Sequence, residues 1–79
     1  MIDDSVWPRL DTCWVQHVRG RYYTVTVVED GLAVRRGAGN TTGAVVRRVQ
    51  RGDLTWGEAR RVVAGVLADL ADHDVAAGD

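Results

Sequence analysis

The side chains able to do chemistry in this chain are few and scattered. There are two histidines, His17 and His73, one cysteine, Cys13, and eleven acids. Cys13 and His17 lie four residues apart in a segment of strand formers. On a strand that spacing puts them on one face but about 13 Å apart, too far to share a zinc ion or to act as a thiol and its base. His73 falls at the end of the last helical pattern, where an imidazolium suits the helix C-terminus. The acid pairs Asp3-Asp4, Glu29-Asp30 and Asp69 with Asp72 read as solvated: neighbours in a polar lead and a turn, or one helical turn apart on a polar face. The expectation is therefore no catalytic residue, no metal and no organic cofactor, and a chain that is not an enzyme.

The glycine run Gly37-Ala38-Gly39-Asn40-Thr41-Thr42-Gly43 invites a phosphate reading and fails it. A phosphate loop needs Gly, four residues, then Gly-Lys-Ser/Thr, and this chain has no lysine. The dinucleotide pattern wants glycines at positions one, three and six, whereas here the third comes at position seven. The run is expected to be a flexible connection.

All ten basic residues are arginine, and they are unevenly placed. Residues 9–61 hold ten arginines against five acids, residues 1–8 two acids and residues 62–79 four acids, so a net charge of −1 conceals a basic middle. Arg35, Arg36, Arg47, Arg48 and Arg51 flank the glycine run and form the candidate nucleic-acid contact, by clasping backbone phosphates. Arg19 and Arg21 flank a glycine turn. With Trp14 and Tyr22 they form the candidate protein interface, because tyrosine, tryptophan and arginine are common interface anchors. A helix-turn-helix over residues 44–72 would have only Glu58, Arg60 and Arg61 near the start of its second helix, which is sparse for reading a groove.

These residues must be positioned by a small fold. The 79 residues suffice for one core, read as a single domain over 1–79, and 46% hydrophobic content argues against disorder. Residues 13–19 and 21–28 read as strands rich in β-branched and aromatic residues. In the second, Tyr23, Val25 and Val27 share an apolar face, and Tyr22, Thr24, Thr26 and Val28 a mixed one. Glu29-Asp30-Gly31 signals a tight turn. Residues 32–36 give a third strand, with Leu32 and Val34 inward and Ala33 and Arg35 outward. Residues 44–51 are ambiguous. Val45, Val46 and Val49 fit a helical stripe, so a short helix is expected, with a fourth strand as the competing assignment.

The clearest element spans residues 56–72. Thr55 followed by Glu58 is a capping box. Ala59, Val62, Val63, Val66, Leu67, Leu70 and Ala71 then recur at helical spacing. The expected class is α+β: a three-stranded antiparallel meander, or four strands, packed against a long C-terminal helix. Residues 13–72 would form the ordered core, with 1–6 and 74–79 frayed and Trp7 tucked against the domain edge.

No apolar run approaches the ~20 residues that span a bilayer. The start, Met-Ile-Asp-Asp, lacks the basic region and apolar run of a secretory leader, and a lone cysteine gives no disulfide; a cytoplasmic location is expected. The small core and the large side chains Trp7, Trp14, Tyr22 and Val28 suggest a homodimer. The functional expectation is a small protein-protein interaction module with an unidentified protein partner, and nucleic-acid binding as the alternative.

Overall fold

The structure is a computed structural model, and it describes residues 6–78. Four strands, β1 Cys13–Val18, β2 Arg21–Val28, β3 Gly31–Arg36 and β4 Arg47–Gln50, precede one helix, α1 Trp56–Gly78. The strands form a single antiparallel sheet in the order β1-β2-β3-β4, a meander in which every neighbour in space is a neighbour in sequence. The α+β architecture thus matches the sequence expectation.

Two short turns set the register. Arg19 and Gly20 both have positive φ, 52° and 78°, as a type I′ hairpin requires, and Val18 pairs with Arg21 across them. Glu29 and Asp30 make the second turn. Gly31 follows at φ 150° and cannot be replaced freely: a Cβ there would sit 1.8 Å from the Val49 carbonyl oxygen on β4.

The side-chain alternation of β2 divides the sheet into two faces. Trp14, Val18, Tyr23, Val25, Val27, Leu32, Val34 and Val49 share the face that α1 covers. The helix contributes Ala59, Val63, Leu67, Leu70 and Ala71, all buried. Its N-terminus carries the expected capping box: the Thr55 amide donates to Glu58 Oε1 at 2.9 Å, and the Glu58 amide donates to Thr55 Oγ1 at 3.1 Å. The bond from the Thr55 amide, with the Thr55 side chain beside it, also holds the Glu58 carboxyl below its ordinary pKa.

Several expectations need correction. Residues 44–51 contain no helix; 47–50 form β4. β3 would otherwise leave its backbone unpaired, and β-branched Val49 fits a pleated surface, with one inward residue among polar ones. The helix does not stop at Asp72 but continues to Gly78. Residues 74–78 are therefore helical, and His73 lies five residues before the helix end. The fraying expected for 1–5 and 79 falls outside the described residues.

The mixed face is more covered than its composition suggests. Thr24 and Ala33 are only 1% exposed. The run 37–43 folds beside Thr24, whose hydroxyl donates to the Gly37 carbonyl at 2.7 Å and accepts from the Asn40 amide at 3.1 Å. Ala33 does not face solvent, because it is short and lies in register between Thr26 and Arg48. The glycine run itself is structured by Asn40, whose Nδ2 donates to the Arg36 carbonyl while its Oδ1 accepts from the Gly43 amide.

Candidate functional site

The groups that could act on a ligand are best located from the sheet outwards. Tyr23 and Arg36 are register partners at one end of the helix-covered face. Asp74, 8% exposed, reaches them from the last turns of α1. Arg36 grips its carboxylate with two bonds, Nε to Oδ2 at 2.9 Å and Nη2 to Oδ1 at 2.7 Å, and the Tyr23 hydroxyl donates to Oδ2 at 2.9 Å. The Arg36 bonds outweigh burial and lower the Asp74 pKa from 3.8 to about 2. Burial first, then the bond to Asp74, raises the Tyr23 pKa.

Sequence reading missed this node. The signal was present: Asp74 continues the apolar stripe of Leu67, Leu70 and Ala71, and a carboxylate on a buried stripe needs a cation. Beside the node lies an open cleft of about 330 Å³, lined by Gly20, Arg21, Tyr22, Arg36, Gly37 and Asp74. A second open cleft, about 430 Å³, runs between Trp14 and Gln16 of β1 and Arg60, Arg61 and Leu67 of α1.

The four residues of the candidate protein interface do not share one surface. Trp14 and Arg21 are on the helix-covered face, and Tyr22, 52% exposed, is on the opposite one. Trp14 is half-buried and meets Trp56 edge-on at 5.7 Å. Arg19, at the hairpin tip, pairs with Asp72 of the helix at 2.8 Å, with both side chains well exposed. Tyr22 stacks on His17 with ring centroids 4.6 Å apart. Of the large side chains expected to be spare, Trp7 is buried. Its indole nitrogen donates to the Leu54 carbonyl at 3.0 Å, and it packs between Trp56 and Arg51.

The arginines of the candidate nucleic-acid contact are likewise divided. Arg36 and Arg47 are on the helix-covered face, and Arg35 and Arg48 on the other. Arg35 donates to the Gly43 carbonyl at 2.8 Å, and Arg51 lies 4.8 Å over the Trp7 ring. Arg35, Arg36, Arg47 and Arg51 each have a local partner, and the sheet keeps Arg36 and Arg47 on the side opposite Arg35 and Arg48.

Among the described residues, the outer edge of β1 has no strand beside it. Val18 and Arg21 close a two-residue turn, so they form a hydrogen-bonded pair, and such pairs recur every second residue at Gln16-Tyr23 and Trp14-Val25. The backbone N–H and C=O groups of Cys13, Val15 and His17 therefore point away from the sheet. All three residues are exposed, Val15 to 47%. The exposed Cys13 does not occupy the buried position a lone cysteine usually takes. Strand β1, Cys-Trp-Val-Gln-His-Val, contains no Arg, Asp, Glu or Pro to blunt its edge, whereas β4 is four residues long with two arginines.

Among the described residues there is no group of three or more His, Cys, Asp or Glu side chains that could hold a metal ion, and no helix is long and apolar enough to cross a membrane. In comparisons with known proteins, no family model, no curated protein and no solved structure matches the chain.

Proposed function

We propose that this chain is a non-enzymatic protein-protein interaction module that takes a partner's strand along the free edge of β1. The carrying observation is that edge: six uncharged residues with the backbone groups of Cys13, Val15 and His17 directed outward. An extended partner segment would gain main-chain hydrogen bonds there, with side-chain contacts on alternate positions. The exposed His17-Tyr22 stack supplies an aromatic platform beside the edge on one face. Two carboxylates elsewhere favour a binding role over a catalytic one, because both already have structural partners. Asp74 is held by Arg36 and Tyr23, and Glu58 by the helix cap. An exposed, unpaired Cys13 suits a reducing, cytoplasmic compartment.

The test compares baits. Val15→Pro removes an N–H that points away from β2, so it blocks the edge while sparing the β1-β2 ladder. Wild-type protein used as bait in its source cells should retain a partner that Val15→Pro loses and that the triple variant Arg35→Ala, Arg47→Ala, Arg48→Ala keeps. Fluorescence anisotropy with mixed-sequence DNA and RNA gives the opposing outcome. Tight binding that falls steeply with salt and disappears in the triple variant would replace this reading with nucleic-acid recognition.

A further inference from the structure

We infer that the edge of β1 is self-complementary, and that its partner is β1 of a second copy of this chain, paired antiparallel about Val15. This rests on the reading of β1 as the docking edge. Three features of the strand select the copy and its register.

The first is hydrogen-bond phase. Only Cys13, Val15 and His17 direct backbone groups outward, and they are spaced evenly about Val15. Antiparallel pairing centred there sets Val15 against its own counterpart and Cys13 against His17 of the second copy, on both sides of a two-fold axis. All three outward residues then fall in hydrogen-bonded pairs, giving about six bonds, two per pair. A slip of one residue would match outward groups with groups already bonded to β2. A slip of two would leave one outward residue of each copy unmatched.

The second is side-chain orientation. In this register, odd-numbered residues pair with odd-numbered residues, so the helix-covered faces of both copies lie on the same side of a continuous eight-stranded sheet. Trp14 comes opposite Gln16 of the second copy. The two clefts lined by Trp14, Gln16, Arg60 and Arg61 then adjoin at the axis. Val15 and its counterpart, each 47% exposed alone, cover each other on the opposite face.

The third is charge. The strand is uncharged, but Asp11 precedes it and Arg19 follows it, and both are exposed. Antiparallel pairing about Val15 brings the Asp11 end of each copy's strand to the Arg19 end of the other, with both residues just outside the extended strand at φ 68° and 52°. A parallel partner would set like charges side by side. Among the described residues Arg19 pairs with Asp72, a well-exposed contact that is weak and leaves it available.

Sedimentation equilibrium and disulfide trapping test this together. Wild-type protein should reach twice its 8.6 kDa mass as concentration rises. Val15→Pro should remain at the single mass, and so should Val15→Lys, which puts two like charges at the axis from a position where the monomer fold tolerates any exposed side chain. Circular dichroism should show both variants folded. In a Cys13→Ser background, Val15→Cys should cross-link on mild oxidation, because paired Cα atoms about 5.5 Å apart lie within disulfide reach. Gln16→Cys in the same background should not. In the wild type, Cys13 should not cross-link to its counterpart, because pairing with His17 keeps the two about 13 Å apart. A wild type that stays at 8.6 kDa, or a folded Val15→Lys that still dimerises, would overturn the self-pairing. The bait comparison would then judge the edge reading on its own, since it scores loss of a different protein.

Discussion

At the scale of single residues, Asp74 joins the end of the helix to the sheet. Its folded pKa of about 2, against 3.8 unperturbed, makes the contribution present above pH 4 and progressively lost as pH falls from 4 to 2. A difference of that size corresponds to about 2 kcal/mol. Urea unfolding at a series of pH values should show this acid limb in the wild type, and Asp74→Asn should flatten it, the two proteins converging near pH 2. The partners are not equivalent. Asp74 is 8% exposed and the Arg36 side chain 50%, so removing the carboxylate returns a cation to water. Arg36→Met instead strands a buried anion with Tyr23 as its remaining partner, and it should cost more than Asp74→Asn at neutral pH. Equal costs, or the reverse order, would show that the cation rather than the carboxylate is the desolvated member. None of this was read from the sequence. Asp74 belongs to none of the acid pairs and lies past residue 72, where the helical pattern is expected to end and fray.

At the scale of elements, local signals were legible where they stated their own geometry. Thr55 and Glu58 marked the helix start, and Asp-Gly and Arg-Gly marked the turns. Thr55→Ala should destabilise the domain by about 1 kcal/mol in denaturant titration, through loss of the cap to the Glu58 amide. The strand at 47–50 was not legible, because four residues with one inward valine satisfy helix and strand patterns alike. What decides it is the open side of β3, a tertiary fact. The glycines of the two turns separate conformational from steric cost. At Gly20 a Cβ meets nothing within 4 Å, so Gly20→Ala should cost about 1 kcal/mol through its positive φ alone. At Gly31 the same change collides with the Val49 carbonyl and must part β3 from β4. Thermal melts should show Gly31→Ala lowering the midpoint much more than Gly20→Ala. Similar shifts would mean that the β3-β4 contact is soft.

At the scale of the whole molecule, the charge pattern read from the sequence is real but does not make one patch. The sheet sends alternate arginines to opposite sides, and the acidic C-terminal segment returns as helix to meet Arg19 and Arg36. Among the described residues, Arg19-Asp72 and Arg36-Asp74 are the two ion pairs that join the basic middle to the acidic end. The interface residues scattered for the same reason: Trp14 and Tyr22 are on strands facing each other in the ladder, yet on opposite faces. Periodicity could assign each strand its two faces but not how much of each the glycine run and the helix would cover. The edge of β1 is a property of backbone direction, to which composition is blind.

The meander order has a consequence for how the chain reaches this state. Each hairpin joins sequence neighbours, so the sheet closes only short loops and should assemble early. The Asp74 contacts span 51 residues to Tyr23 and 38 to Arg36, the last ends to be drawn together. Substitution at Asp74 should therefore leave the refolding rate nearly unchanged and accelerate unfolding, a φ-value near zero in stopped-flow chevrons. A slowed refolding limb would instead place helix docking in the transition state. With a late-forming clasp, the lifetime of the native state can be tuned at one carboxylate without altering the speed at which the chain finds its fold.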